Sequence, residues 1–193
     1  AYSNLGSILR DLGKLEEAEF ATRKAIELNP NNVEAYSNLG SILRDLGKLE
    51  EAEFATRKAI ELNPNNVEAY SNLGSILRDL GKLEEAEFAT RKAIELNPNN
   101  VEAYSNLGSI LRDLGKLEEA GSCIQKAIGI KSEYPQAHLN LSNILRDLGK
   151  LKEAEFAIRK AIKLKPEYPQ AHLNLGNILR DLGKLKEAEF AIR

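Results

Sequence analysis

Few side chains in this sequence have the type and spacing for chemistry, and most of those are amides. An asparagine recurs every 34 residues, at Asn4, Asn38, Asn72, Asn106, Asn140 and Asn174. Each carboxamide offers two donors and an acceptor oxygen. A row of them can pair with the backbone of an extended polypeptide, a recognition largely indifferent to that polypeptide's sequence. The same asparagines can instead stabilise packing by bonding a neighbouring backbone group, and copying alone explains the first four. Covalent and metal chemistry have less to work with. Cys123 is the single cysteine, which rules out an internal disulfide and reads as a small buried hydrophobe. His138 and His172 stand 34 residues apart in equivalent, core-facing places, with no cysteine or second histidine at ligand spacing, so no metal site is expected. The carboxylates follow the repeat and set no pair apart for acid–base work. No Gly-rich phosphate loop, nucleophile elbow or HExxH is present in the sequence. Neither an enzyme activity nor a cofactor is expected. Asn140-Leu141-Ser142 fits the glycosylation pattern by chance, inside a helical segment.

The elements that must position these residues are set by the repeat itself. The phrase RDLGKL begins at Arg10, Arg44, Arg78, Arg112, Arg146 and Arg180. Residues 1–34 recur unchanged as 35–68 and 69–102, and identity runs on to Ala120. The copies are 1–34, 35–68, 69–102, 103–136, 137–170 and a shorter 171–193. Self-similarity at this period marks a repeat array.

One copy contains two amphipathic helices. At ~100° per residue, Glu34, Ser37, Asn38, Ser41, Arg44 and Asp45 share one arc. Ala35, Tyr36, Leu39, Ile42, Leu43 and Leu46 fall opposite, which predicts a helix with one apolar face. Asn32 is placed to cap its start and Gly47 to end it. A second helix is expected from about Leu49 to Leu62, with Leu49, Ala52, Ala55, Ala59, Ile60 and Leu62 on one side, stopped by Asn63-Pro64. RDLGKL is then the hairpin between the helices, and its Arg and Asp are expected to pair across adjacent copies. One helix pair cannot bury its apolar faces alone, whereas stacked pairs build a continuous core. The fold class expected is all-α: an α-solenoid of stacked antiparallel helix-turn-helix units forming one domain over 1–193.

The 34-residue period, the Leu39-Gly40 pair, the small Ala52 and Ala59, and Pro64 together resemble the tetratricopeptide repeat (TPR) family over the whole chain. Tyr36 stands where that family often has tryptophan, with His138 and His172 there in later copies, and Thr56 replaces a usual aromatic. The resemblance implies a right-handed superhelix whose first helices line a concave groove, and a protein or peptide as partner. The phrase AYSNLG is similar to the repeats of protein O-GlcNAc transferases, in which an asparagine ladder holds substrate polypeptide. That implies a peptide-binding role for the six asparagines named above. Groove tuning would fall to Glu34, Ser37 and Ser41 in early copies, and to Leu139, Asn143, Leu173 and Asn177 in late ones, where an apolar side chain is expected to seat near Leu139 and Leu173. TPR modules that clamp a C-terminal carboxylate use basic residues where this chain has Ser37 and Asn38, so that activity is disfavoured.

Phe20, Phe54, Phe88, Phe156 and Phe190 recur in the charged arc of the second helix, with Ser122 in their place once. The favoured expectation is that each ring lies against the adjacent repeat beside the stems of Arg57 and Lys58; the alternative is a convex contact surface. The copy GSCIQKAIGIKSEYPQ departs most: Gly121 and Gly129 fall inside its second helix, each costing roughly 1 kcal/mol relative to alanine. It is expected to be the weakest joint.

Composition bounds the rest. The 193 residues are 42% hydrophobic and 29% charged, which suits a soluble folded chain. No apolar run approaches the ~20 residues of a membrane span. The chain starts at Ala1 without methionine or a signal-peptide pattern, which reads as a fragment of a cytoplasmic protein. The net charge of −2 argues against a nucleic-acid binder. Residues 1–102 hold 12 basic and 18 acidic side chains, and 103–193 hold 15 and 11, so unlike ends are expected to favour head-to-tail self-association. The functions left open are an interaction module using the asparagine row, a structural spacer or self-assembling rod, and a substrate-recruiting arm of a larger enzyme such as a glycosyltransferase.

Overall fold

The structure, a computed structural model, describes residues 2–192; Ala1 and Arg193, at the outer limits of the first and last copies, lie outside the described residues. Each copy supplies two helices. The first helices are α1 (Tyr2–Asp11), α3 (Val33–Asp45), α5 (Val67–Asp79), α7 (Val101–Asp113), α9 (Pro135–Asp147) and α11 (Pro169–Asp181). The second helices are α2 (Leu15–Leu28), α4 (Leu49–Leu62), α6 (Leu83–Leu96), α8 (Leu117–Ile130), α10 (Leu151–Leu164) and α12 (Leu185–Ile192). Helices are the only regular elements among the described residues. They form two compact units, Ala1–Pro98 and Asn99–Arg193.

Local chemistry fixes the helix ends. Asn32 Oδ1 accepts the Ala35 N–H at 3.1 Å, and Asn66 and Asn100 repeat the cap on Ala69 and Ala103. In the last copies Pro135 and Pro169 occupy the first turn instead, where a missing N–H costs nothing. At the hairpin Gly47 takes φ +74°, a region that a side chain disfavours. There Lys48 N–H donates to Leu43 O at 2.8 Å and closes the turn.

Packing follows from small residues. A Cβ on Gly40 would lie 2.1 Å from Thr56 Oγ1, so glycine lets α3 and α4 approach that closely. In the first unit Leu39, Leu43, Ala52, Ala55 and Ile76 form one buried cluster. In the second, Leu139, Ile158, Leu175, Ile178 and Leu179 do the same with Ala154, Ala161, Ala171 and Ala188. Each fully buried leucine or isoleucine adds roughly 1.5–3 kcal/mol. Despite Gly121 and Gly129, α8 keeps the same 14 residues as its counterparts. Its buried Ala120, Ile124 and Ala127 hold it on the core face.

Stacking gives each unit two unlike faces. First helices touch one another, α1 on α3, α3 on α5, α7 on α9 and α9 on α11. Within each unit the backbones of second helices, among the described residues, approach first helices only. The first-helix face is therefore the tight one and the second-helix face is splayed. RDLGKL clips the seam: Arg10 Nε reaches Asp45, Arg44 reaches Asp79 and Arg146 reaches Asp181, each at 2.6 Å. Half-exposed pairs of this kind contribute ~0–1 kcal/mol each.

Candidate functional site

In each unit the asparagines lie on the tight face, and Asn38, Asn72, Asn140 and Asn174 each spend the nitrogen end of the amide on stacking. Asn38 Nδ2 donates to Ser7 Oγ at 2.9 Å and to Ser3 Oγ at 3.2 Å, both on the preceding first helix. Asn72 Nδ2 donates to Ser41 Oγ at 2.9 Å. In the second unit Asn140 Nδ2 spans Ser105 and Ser109 at 3.0 and 3.1 Å. Asn174 Nδ2 donates to Asn143 Oδ1 at 2.8 Å. The packing alternative named a backbone acceptor; the acceptors are side chains of the preceding repeat. Asn4 is exposed, and Asn38, Asn72, Asn106, Asn140 and Asn174 are half-buried.

The acceptor end of the amides divides the row. Asn140 Oδ1 accepts from Gln136 Nε2 at 2.9 Å, and Asn174 Oδ1 from Gln170 Nε2 at 2.9 Å. Glu34 and Glu68 stand where those glutamines are, and a carboxylate has no proton to give. Among the described residues Asn38 and Asn72 therefore keep Oδ1 without a protein donor. Sequence reasoning missed this split, although the change from Glu to Gln four residues before each asparagine carries it.

Several groove-tuning expectations are corrected. Ser37 and Ser41 are 2% and 7% exposed, because the next repeat covers them. Ser37 Oγ receives Asn66 Nδ2 at 3.3 Å, and Ser41 Oγ receives Asn72 as above. Leu139 is 4% exposed and belongs to the core, so it offers no open seat; its counterpart Leu173 is 46% exposed. Glu34 is exposed, and Asn143 and Asn177 are half-buried. Both histidines serve the turns. His138 Nε2 lies 2.9 Å from Ser132 O, and His172 Nε2 lies 2.8 Å from Pro166 O, which requires each Nε2 to carry the proton. Cys123 is half-buried rather than buried.

The splayed face differs from expectation more. Phe20, Phe54, Phe88, Phe156 and Phe190 are 73–84% exposed, so the rings do not lie closed against the adjacent repeat. Long side chains bridge the gap between second helices instead. Arg57 binds Glu53 at 2.9 Å and Glu85 at 2.7 Å, and Lys82 binds Glu53 at 2.8 Å. The same arrangement joins Arg23, Glu19, Glu51 and Lys48, and Arg159, Glu155 and Lys184. Burial opposes ionisation of Glu53, but hydrogen bonds from Lys82 and Arg57 outweigh it and lower its pKa. Between the bridges lie apolar depressions. One of about 590 Å³ between α4 and α6 has Tyr70, Leu73 and Leu77 as its floor and Phe88 on its rim. Equivalents carry Phe54 between α2 and α4, Phe156 between α8 and α10, and Phe190 between α10 and α12.

A face of stacked first helices, small residues at the helix crossing and a 34-residue helix pair define a TPR solenoid. The whole chain, residues 1–193, matches the family model of the Cilia and flagella-associated protein 70 C-terminal domain, a TPR domain, and the chain belongs to that TPR family. No curated protein matches the sequence. Among solved structures it is similar to PilF of Pseudomonas aeruginosa (21% identity, 99% of this chain and 87% of that one, TM-score 0.83). It is also similar to a thermophilic TPR protein of Thermus thermophilus (22%, 93% and 100%, TM-score 0.82). A third is YrrB, a TPR protein with an unusual peptide-binding site (26%, 88% and 88%, TM-score 0.66). Among the described residues no helix is long and apolar enough to cross a membrane, and no cluster of ligand-bearing side chains suits a metal ion.

Proposed function

We propose that the chain is a protein-interaction module whose first-helix face holds an extended segment of a partner, with backbone N–H groups of that segment donating to Asn38 and Asn72 Oδ1. One observation carries this reading: the serines fix both amides with Nδ2 turned to the preceding repeat, leaving two half-buried acceptors one repeat apart. First helices in contact lie roughly 8–10 Å apart. A polyproline-II segment rises ~3.1 Å per residue with three residues per turn, so every third N–H returns to the same side after ~9.3 Å. The two spacings agree. That YrrB, at 26% identity, is a TPR protein with a peptide-binding site supports the class of ligand. At Asn140 and Asn174 glutamine already uses one lone pair of the oxygen, which makes them the weaker rungs of the ladder.

The test is fluorescence anisotropy with a labelled series of unstructured peptides of polyproline-II character. Asn38→Ala with Asn72→Ala is expected to abolish binding. Asn38→Asp with Asn72→Asp is expected to retain it, since a carboxylate keeps the acceptor and the serine hydroxyls can donate to it. Equal binding by the parent and the alanine variant, both folded by circular dichroism, would sink the reading.

A further inference from the structure

We propose that the splayed face is a self-association surface, on which the acidic depression of the first unit docks against the basic depression of the second unit of another copy. In each unit this face carries both parts of such a contact. Phe54 and Phe88 project from it in the first unit, Phe156 and Phe190 in the second, with 73–84% of their surface exposed. Each borders an apolar depression of about 500–620 Å³. Knobs and holes alternate with the period of the repeat, so the two units present matching spacings.

Charge selects the register. The depression between α4 and α6 is lined by Arg57, Glu61, Glu84 and Glu85, one positive and three negative groups. The depression between α10 and α12 is lined at the same positions by Arg159, Lys163, Lys186 and Glu187, three positive and one negative. The sequence keeps Arg and the last Glu and reverses the other two. Keeping Arg57 and Glu85 preserves the bridge between second helices; Arg159 and Glu187 keep it at 3.7 Å. The reversed groups do no such work. Glu84, Lys163 and Lys186 are exposed and make no ion pair among the described residues, while Glu61 pairs only with Lys58 on its own helix, at 2.8 Å. Three of the four reversed charges are thus left free of ion pairs among the described residues and available to a second copy. The area suffices as well. Four phenylalanines burying 150–250 Å² each remove roughly 600–1,000 Å², and the depressions they fill lose a similar amount, which reaches the ~1,200–2,000 Å² of a stable interface. In each unit this surface lies on the second helices and leaves the asparagines of the first helices free.

Sedimentation velocity of the full chain tests the proposal, at about 20 mM and about 500 mM salt, which shortens the Debye length from roughly 20 Å to roughly 4 Å. Reversible association is expected at low salt and weaker association at high salt. Phe88→Ser with Phe190→Ser is expected to weaken it by roughly tenfold or more; serine already stands at this position of α8, as Ser122. Glu61→Lys with Glu84→Lys is expected to abolish it, and mixing that variant with one carrying Lys163→Glu and Lys186→Glu to restore it. A chain that sediments as a monomer throughout overturns the proposal. So does association that survives these changes, the behaviour expected of contacts through the ends, or a mixture that stays apart.

Discussion

The amide nitrogen of Asn72 lies 2.9 Å from the hydroxyl of Ser41, one repeat earlier, and the same bond joins Asn38 to Ser7. A residue placed like a ligand contact is therefore also a seam between repeats. Ser41 is 7% exposed, so its hydroxyl is part of the packed interface. Ser41→Ala is expected to cost about 0.5–1.5 kcal/mol, the net worth of such a bond. Urea unfolding checks this; an unchanged midpoint would mean that water replaces the serine at no cost.

Gly47 gives a cleaner backbone effect. Its φ is +74°, and a Cβ there would meet nothing within 4 Å. Gly47→Ala should therefore cost about 1–2 kcal/mol from conformation alone. Gly47→Asn should recover part of that, because asparagine tolerates this region better. Equal stability of the three proteins in thermal unfolding would contradict the argument.

Acid should unfold the chain through the bridges of the splayed face. Burial opposes ionisation of Glu19 and Glu53, yet hydrogen bonds from Lys48 and Arg23, and from Lys82 and Arg57, bring both below the ordinary 4.5. At Glu155 the bond from Lys184 leads, with burial against it and Arg159 adding. Groups with lowered folded pKa stabilise the fold above their unfolded value, and that contribution is lost as pH falls through the lowered one. The thermal midpoint is expected to hold from neutral pH to about 4.5 and then decline. Glu53→Gln should start from a lower midpoint and show a shallower decline.

The irregular copy should be improvable. Gly129 is exposed, and a Cβ on it would meet nothing within 4 Å, so Gly129→Ala is expected to stabilise α8 by roughly 0.5–1 kcal/mol. Gly121 stands where the other copies have the glutamate that Lys48 and Lys82 bind. Gly121→Glu should give Lys150 the same partner. Slower amide hydrogen exchange in α8 is the readout, and unchanged exchange in both variants would show that the glycines do not weaken it.

Much of this molecule is legible in its sequence because the determinants are local and repeated six times. The period, the Asn32 cap, the Gly47 hairpin and the bounds of α3 and α4 all follow from spacing and from a few residues with strong backbone preferences. The Arg–Asp clip was legible too, since a hairpin copied at a fixed period must meet its own copy. What the wheel of one helix cannot show is which part of its polar arc the next repeat covers. Ser37, Ser41 and Leu139 look open on that wheel and are buried by stacking. The phenylalanines look in need of cover and are exposed, because stacking on the first helices spreads the second helices apart. The two ends of the asparagine amides are assigned only in three dimensions, where serine takes the nitrogen of Asn38, Asn72 and Asn140, Asn143 takes that of Asn174, and the glutamines that precede only Asn140 and Asn174 take the oxygen. Local residue preferences determined what each helix is; the contact between neighbouring copies decided which of its faces is left for a partner.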